Sequence, residues 1–236
     1  MILYSFIIPS FNEAQNLPIL CDRLIKVLKK NRKLEVLLIN NGSTDNTAEI
    51  LYKQKINKYK NFRILNLKKN MGYGHGILSG LKIAKGQILI WFHADLQADP
   101  LDIFTALIKN QKKIFSNKFI LKGKRTNRGF FDNFFTFFMS TFVNFIFKTS
   151  IRDINAQPKI FNKQILKKFK NPPNDFSLDL YFLLIAYFNN YKIIEYPIYC
   201  GKRYSGDAKG GGSLIGKVKL AIRSIKFIID LKNKWK

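Results

Sequence analysis

The residues best suited to chemistry follow a short apolar segment near residue 90. Residues 90–92 are Ile-Trp-Phe, and His93, Asp95 and Gln97 come next at alternate positions. If the chain stays extended there, these three side chains share one side of it. An imidazole, a carboxylate and an amide oxygen can together hold a divalent cation, which would stabilise charge on a departing diphosphate. On spacing alone, Asp95 could instead cap a helix predicted from residue 101, and His93 could be structural.

Two further polar clusters follow apolar segments earlier in the chain. Residues 9–13 follow the apolar residues 3–8, and residues 40–45 follow the apolar residues 34–39. In an open α/β sheet, the loops beyond the carboxyl ends of the strands build the ligand site. All three polar clusters are therefore expected at one edge of a sheet.

The elements that would position these clusters alternate between short apolar runs and amphipathic stretches. Such alternation is typical of a mostly parallel sheet with crossover helices, so we predict an α/β fold. The predicted strands are residues 3–8, 34–39, 62–67, 87–92, 119–124, 158–161 and 193–199. The predicted helices are residues 16–30, 44–58, 76–84, 101–113, 178–189 and 214–234.

Length and cysteine usage indicate one domain in a reducing compartment. A chain of 236 residues with 47% hydrophobic content suits a single core with short appendages. We predict one domain over residues 1–213, followed by a basic amphipathic helix over residues 214–236. Cys21 and Cys200 are far apart and have no second ligand at metal-binding spacing, so neither a zinc site nor a disulfide framework is expected.

The net charge of +26 raises the question of nucleic acid, because Lys and Arg neutralise phosphates whatever the base sequence. The basic residues are 33 Lys and only 8 Arg, which indicates a compositional bias rather than a surface chosen for bidentate phosphate contacts. Late in the chain the charge accompanies apolar faces, a combination that suits an anionic bilayer surface. We therefore predict a membrane surface as partner and no nucleic acid.

The segment that favours membrane contact is residues 129–148, which holds nine phenylalanines interrupted by polar residues. It is amphipathic and too polar to span, so we expect it to lie on a membrane, although a core helix is the alternative. No stretch reaches the roughly 18 consecutive apolar residues of a spanning helix. The apolar opening of the chain lacks a basic n-region and is interpreted as a strand rather than a signal peptide.

Four motifs occur in the order and at the spacing found in family 2 glycosyltransferases, which are inverting enzymes with a GT-A fold. These motifs are residues 7–16, residues 40–47, residues 70–74 together with Gly80, and residues 93–100. The last, His-Ala-Asp-Leu-Gln-Ala-Asp-Pro, resembles the Asp-Ala-Asp-Leu-Gln-x-x-Pro signature of polyprenyl-phosphate sugar synthases, including the dolichyl-phosphate mannose synthases. The resemblance is strongest over residues 2–100 and continues more weakly through Arg125, residues 152–153 and residues 203–209.

The resemblance implies a role for each matching residue. His93, Asp95 and Gln97 would hold a divalent cation, Mn²⁺ or Mg²⁺, on the donor diphosphate. The other donor-binding residues would be Pro9, Phe11, Glu13, Asn40, Asn41, Gly72 and Lys209.

The resemblance also implies which residues take part in catalysis. Asp95 would act through the cation, and Arg125 and Arg203 would meet phosphates unless they are solvated surface charges. Asp179 lies where relatives that use a hydroxyl acceptor keep a general base; alternatively it is a carboxylate favoured by a helix N-terminus.

Two departures from the family pattern bear on the donor. The family usually has paired aspartates where this chain has Asn40 and Asn41, and an aspartate in place of His93. A carboxylate only accepts hydrogen bonds, whereas an Asn amide also donates, so a different nucleotide base is possible. His93 favours Mn²⁺ over Mg²⁺, or else it weakens the metal site.

The implied function is transfer of a sugar from a nucleotide-sugar donor to a polyprenyl phosphate by a peripheral enzyme at the cytoplasmic membrane face. One alternative is transfer to a sugar hydroxyl during surface polysaccharide synthesis. The other is a catalytically silent, membrane-associated protein that binds nucleotide.

Overall fold

The computed structural model of the chain describes residues 1–54, 56–116, 118–127, 129–201, 203–205 and 214–234. Its strands are β1 (Tyr4–Ser10), β2 (Leu34–Asn41), β3 (Phe62–Leu67), β4 (Ile88–Trp91), β5 (Phe119–Thr126), β6 (Lys159–Asn162) and β7 (Lys192–Tyr199). Its α-helices are α1 (Leu17–Lys30), α2 (Thr47–Lys53), α3 (Tyr73–Ile83), α4 (Pro100–Phe115), α5 (Phe130–Phe147), α6 (Leu178–Phe188) and α7 (Leu214–Lys234). Two short 3₁₀ turns lie at Ile56–Lys58 and Lys163–Lys168.

The seven described strands form one sheet in the order β3-β2-β1-β4-β6-β5-β7. Strands β3, β2, β1 and β4 are parallel neighbours, and β5 and β7 are parallel to each other. Strand β6 runs antiparallel to both β4 and β5. The predicted α/β fold with a mostly parallel sheet is therefore confirmed.

Both faces of the parallel strands are covered by helices. On one face, buried leucines of α1 and Ile103 of α4 pack with Phe6, Ile8 and Val36 of the sheet. On the other face, α3 comes so close that a Cβ atom on Gly80 would lie 2.5 Å from the Ile7 side chain. Gly80 is therefore required by this close approach, and such packing holds the carboxyl ends of the strands in place.

Strand β2 is longer than predicted. Asn40 and Asn41 belong to the strand, because Asn40 pairs in register with Ser10 of β1 and with Asn66 of β3. Their polar character suggested a loop, but their backbone continues the ladder to the edge of the sheet. Both asparagines are thus fixed by strand pairing.

Helix α2 is shorter than the predicted helix over residues 44–58. The residues before it are tied to the loop after β1, since Thr44 N donates to Asn12 Oδ1 at 2.8 Å and Asn12 N donates to Ser43 Oγ at 3.0 Å. These bonds hold residues 43–46 in a turn and delay the start of the helix to Thr47.

Helix α4 is capped by Asp99 rather than by Asp95. The side chain of Asp99 accepts from Leu101 N at 2.8 Å and also pairs with Arg23 at 2.7 Å. Because Asp99 satisfies the first turn, the capping alternative for Asp95 is wrong.

The chain divides into two compact units. The first comprises residues 1–127 and 156–205 and contains the whole sheet. The second comprises residues 128–155 and 206–236 and contains α5 and α7. Within the described part of the chain, no helix combines the length and the apolar character that crossing a bilayer requires.

Candidate active site

The segment after β4 turns rather than continuing as a strand. Leu96 has a φ of +59°, in the left-handed region, so the chain is not extended through Gln97 and the alternation of residues 93, 95 and 97 does not apply. The turn brings the Gln97 N–H to Asp95 Oδ1 at 3.1 Å. Asp95 is only 4% exposed, and its Oδ2 atom lies 3.7 Å from His93 Nδ1.

The charge on Asp95 is stabilised by its surroundings. Burial alone would raise the pKa of Asp95, but His93, Arg203 and the Gln97 N–H together hold that pKa below its usual value. Asp95 is therefore a carboxylate at neutral pH, with one oxygen on the backbone and the other facing His93 and Arg203.

Arg203 joins the segment after β7 to the loops after β1 and β4. Its Nη2 atom pairs with Glu13 Oε1 at 2.6 Å, and its Nη1 atom lies 3.5 Å from Asp95 Oδ2. Its Nε–H is buried and finds no partner among the described residues. The structure thus brings Arg203, Glu13 and Asp95 together and leaves a buried guanidinium donor for an anion.

Gln97 is held by backbone contacts on both sides. Its Nε2 atom donates to the Gly201 carbonyl at 3.2 Å, and Gly201 N donates to the Gln97 carbonyl at 3.0 Å. Because the side-chain NH₂ is engaged, the Oε1 atom is the one that Gln97 can offer to a cation.

The donor set near Asp95 fits a divalent cation only in part. Across the described residues, no three His, Cys, Asp or Glu side chains converge as a metal ligand set. The imidazole of His93, the carboxylate of Asp95 and the amide oxygen of Gln97 are ligand types suited to Mn²⁺. A cation held by these residues would need further oxygens from a bound diphosphate, as is usual for nucleotide sites.

The two asparagines at the end of β2 use their amide hydrogens within the protein. Asn40 Nδ2 donates to Asn66 Oδ1 at 3.0 Å, and Asn41 Nδ2 donates to the Gly72 carbonyl at 3.0 Å. Asn41 is 3% exposed, and its Oδ1 atom has no partner among the described residues. Asn41 therefore offers an acceptor, whereas the expectation was that the amide could also donate.

The remaining predicted donor residues of the first unit lie at the same edge of the sheet or beside it. Pro9 is in register with Ile39 near the end of β1, and Phe11 follows it, partly exposed. Gly72 precedes α3 with a φ of +115°, and a Cβ atom there would lie 2.3 Å from the Asn174 carbonyl oxygen. Only glycine suits that position.

Of the two remaining predicted residues, one belongs to strand β5 and the other is not described. Arg125 is near the end of β5, in register with Ile198 of β7, and is partly exposed. Lys209 lies outside the described residues.

Asp179 lies in a buried network. It is 2% exposed in the first turn of α6, and its Oδ1 atom lies 3.0 Å from Lys159 Nζ, 2.9 Å from Gln157 Nε2 and 3.3 Å from Trp91 Nε1. Lys159 is fully buried. An ion-paired carboxylate with three donors is poorly placed to take a proton from a hydroxyl acceptor.

The network reaches the site through Tyr73, a residue that the sequence reasoning missed. Gln157 Nε2 donates to Tyr73 Oη at 3.0 Å, and Tyr73 Oη lies 3.1 Å from His93 Nε2. Burial first, then the charge and hydrogen bond of Asp179 and the charge of Asp95, raise the pKa of Tyr73 well above its usual value. The only sequence signal was the position of Tyr73 inside the Gly-rich motif.

Comparisons with known proteins agree with these motifs. The model of the family "Glycosyl transferase family 2" matches residues 5–170. A dolichyl-phosphate beta-glucosyltransferase (ALG5A) from Trichomonas vaginalis is 28% identical over 240 residues, covering 95% of this chain and 72% of that protein. Another dolichyl-phosphate beta-glucosyltransferase of that organism is matched over only 39% of its length.

A bacterial relative and a solved structure extend the comparison. The undecaprenyl-phosphate 4-deoxy-4-formamido-L-arabinose transferase of Pectobacterium atrosepticum is 33% identical over 100 residues, which is 42% of this chain and 31% of that protein. The glucosyl-3-phosphoglycerate synthase of Mycobacterium tuberculosis, solved with Mn²⁺, UDP and glucosyl-3-phosphoglycerate, aligns with a TM-score of 0.74. That alignment has 13% identity and covers 98% of this chain and 79% of the other. The predicted GT-A fold is thereby confirmed.

Proposed function

The chain belongs to glycosyl transferase family 2, and from this premise we propose that it moves a sugar from a nucleotide-sugar donor to a polyprenyl phosphate. The observation that carries the proposal is the meeting of Asp95, His93, Gln97 and Arg203 at the carboxyl edge of the sheet. The names of the relatives, which refer to dolichyl and undecaprenyl phosphate, support this acceptor class.

In the proposed donor complex, the nucleoside lies along the ends of β1 and β2. The Oδ1 atom of Asn41, for which the described residues supply no partner, is the proposed acceptor for a base N–H. Pro9, Phe11, Glu13, Asn40, Gly72 and Lys209 remain the other proposed donor-binding residues.

A divalent cation, Mn²⁺ or Mg²⁺, is part of the proposal. His93, Asp95 and the amide oxygen of Gln97 would hold it, and bound there it would offset the negative charge that develops on the departing nucleotide. The Mn²⁺ in the mycobacterial complex supports a cation in this fold. Arg203 adds charge stabilisation from the protein itself, through the N–H that has no partner in the described structure.

The acceptor phosphate needs no general base. A phosphate monoester has a second pKa of about 6, so it is mostly dianionic near neutral pH and can attack the sugar carbon directly, with inversion. The ion-paired and buried state of Asp179 suits such an acceptor better than a sugar hydroxyl. Arg125 is the proposed partner of the acceptor phosphate.

We also place the enzyme on a membrane, at the cytoplasmic face, through the second unit. Five phenylalanines of α5 are more than half exposed and recur at spacings of three, four and seven residues, so they share one face of the helix. These residues are Phe130, Phe134, Phe137, Phe138 and Phe145. A face of this kind can enter the headgroup boundary of a bilayer without crossing it.

Helix α7 adds a second apolar face with charge beside it. Val218, Ile222 and Ile229 are exposed on one side, and Arg223 and Lys226 are exposed next to them. Such a helix is attracted to anionic lipid. In this proposal residues 1–213 form the catalytic domain, with residues 129–148 facing the membrane, and residues 214–236 form the basic helix.

A panel of donors and acceptors tests the function. The enzyme is incubated with Mn²⁺, one nucleotide sugar and one of three acceptors. The acceptors are a polyprenyl phosphate, the same polyprenol without phosphate, and an oligosaccharide. Released nucleotide and glycosylated product are measured in each reaction. We expect product only with the phosphate. Product with the oligosaccharide would favour the polysaccharide alternative, and nucleotide binding without any transfer would favour a catalytically silent protein.

A further inference from the structure

We propose that the first unit has a second binding site, at the edge of the sheet opposite the candidate active site, for an amphiphilic anion that joins a hydrocarbon chain to a phosphate group. The site is a cavity of about 700 Å³. That volume falls within the range of about 300–1,000 Å³ that is typical of small-molecule sites. None of the described residues assigned to sugar transfer lines this cavity, so the proposal does not rest on the proposed function.

The cavity lies at the amino ends of the parallel strands. Its lining includes Leu3, directly before β1, and Leu89, near the start of β4. Strand β6 runs antiparallel to β4 and ends at this same edge, where the turn Lys163–Lys168 follows it. Strand β1 is seven residues long, so roughly 20 Å separates the cavity from the carboxyl edge of the sheet.

Hydrogen bonds hold the two walls of the cavity in place. One wall is the loop between α3 and β4, where Lys85 N donates to the buried Glu35 Oε1 at 2.6 Å. The other wall is residues 162–167, and Lys163 N donates to the Gln87 carbonyl of the first wall at 2.9 Å. The walls are therefore joined to the sheet and to each other, which gives the cavity its shape without a ligand.

The interior of the cavity is apolar. Leu81 and Leu89 are buried, and Ile2, Leu3 and Leu166 are partly exposed where they line it. Side chains of this kind offer no hydrogen bonds to water, so a hydrocarbon chain that displaces water from them is stabilised by the hydrophobic effect.

The opening of the cavity is positively charged. Four exposed lysines line it, namely Lys82, Lys85, Lys163 and Lys167. No Asp or Glu is among the described residues of the lining. The carboxylate bonded to the first wall, Glu35, already pairs with Arg63 at 3.1 Å. The four lysines thus create a positive potential that the lining itself does not offset, and an anion is attracted to it.

The two features together define the ligand. Inorganic phosphate would leave the apolar interior unfilled, and a neutral hydrocarbon would leave the lysines without a partner. A phosphate monoester carries a charge of about −1.5 to −2 at neutral pH, which matches several lysines better than a singly charged carboxylate does. The cavity is therefore assigned to a chain with a phosphate at one end.

The test is isothermal titration calorimetry of the full chain, without metal or nucleotide, using octyl phosphate, octanol and inorganic phosphate as probes. Octyl phosphate is kept below the concentration at which it forms micelles. We expect octyl phosphate to bind the wild type at least tenfold more tightly than either other probe. Equal affinity for octanol or for inorganic phosphate would overturn the assignment.

A pair of double variants locates the binding. Lys163→Gln with Lys167→Gln should weaken octyl phosphate binding about tenfold, because two exposed ion pairs are lost. The matched control is Lys29→Gln with Lys30→Gln, which removes the same charge from exposed lysines in the last turn of α1 and should leave the affinity unchanged. Equal losses in the two double variants would show a general effect of charge and overturn the proposal.

The candidate active site is the competing location, because Arg125 is the proposed partner of an acceptor phosphate. Arg125→Gln should leave octyl phosphate binding unchanged, whereas Leu166→Glu, which adds a carboxylate to the cavity lining, should abolish it. The lysine variants change only exposed side chains, so they decide the question even if Leu166→Glu does not fold. Binding that is lost in Arg125→Gln and retained in the lysine variants would overturn the proposal while leaving the proposed function intact.

Discussion

The polar edge of the sheet in the first unit and the phenylalanine face of α5 in the second unit are built on opposite physical rules. At the sheet edge, individual polar atoms have specific hydrogen-bond partners. Asp95 Oδ1 accepts from the Gln97 N–H, and Asn41 Nδ2 donates to the Gly72 carbonyl. On α5, the exposed phenylalanines are chemically equivalent, and only their shared face matters. One substituted atom should therefore disable the first region, whereas the second should weaken in proportion to the apolar area removed.

The largest effect is expected for Asp95→Asn. The substitution keeps an acceptor for the Gln97 N–H but removes the negative charge. Because charge stabilisation at a departing diphosphate is worth several kcal/mol, the rate of sugar transfer should fall by roughly 10²-fold or more. Asp99→Ala is the control, because it removes the cap of α4 and should lower the free energy of unfolding by about 1 kcal/mol with transfer retained. Transfer rates and melting temperatures measure both. Near-normal transfer in Asp95→Asn would break the contrast between the regions.

The next largest effect is expected on membrane binding, from replacing Phe137, Phe138 and Phe145 together with Ser. If each ring inserts only partly and contributes about 1 kcal/mol, affinity for anionic liposomes should fall roughly 10²-fold at any salt concentration. The control replaces Tyr52 and Phe188, which are exposed residues of the first unit, with Ser. Co-sedimentation that is unchanged in the triple variant would rule out this face as the contact.

A smaller effect, on stability, is expected for Asn41→Asp. A carboxylate cannot donate to the Gly72 carbonyl, so the free energy of unfolding should fall by about 1–3 kcal/mol. Asn46→Asp is the control, since Asn46 is exposed just before α2 and a negative charge is tolerated there. Urea unfolding compares the two, and equal stability would show that the amide hydrogens of Asn41 are not needed.

The smallest effect is expected from the charges beside the apolar face of α7. Arg223→Gln and Lys226→Gln should each cost about 1 kcal/mol of liposome binding at low salt. The loss should vanish at high salt, where such charges are screened. A loss that persists at high salt would mean that these side chains make a specific contact instead.

Much of the scaffold was predictable because it is local. Apolar runs such as residues 62–67 fixed the strands, and the rule for parallel sheets placed the polar loops at one edge. The limits of elements were harder where polar residues continue a ladder, as Asn40 and Asn41 do in β2. Two adjacent polar residues after an apolar run are typical of a loop. Only their backbone pairing with the neighbouring strands shows that they belong to β2.

The sequence predicted which residues form the site better than it predicted how those residues contact one another. Arg203 reaches Glu13 across 190 positions of sequence, and no periodicity reports such a pairing, so only the family resemblance indicated its role. The turn at Leu96 depends on tertiary packing. So does the series of contacts that leads from Asp179 through Gln157 and Tyr73 to His93. These features lay beyond pattern reasoning because each is set by elements distant in the chain.

The central claim is that the sheet edge performs transfer to a prenyl phosphate while α5 only brings the enzyme to lipid. The direct measurement is sugar transfer by three proteins: the wild type, Asp95→Asn, and the triple variant with Ser at Phe137, Phe138 and Phe145. Each protein is assayed with two acceptors, a long polyprenyl phosphate in liposomes and a short, water-soluble prenyl phosphate. We predict that Asp95→Asn fails with both acceptors, whereas the triple variant fails only with the long acceptor in liposomes. A triple variant that loses both reactions while still folded, or an Asp95→Asn enzyme that keeps both, would contradict this account.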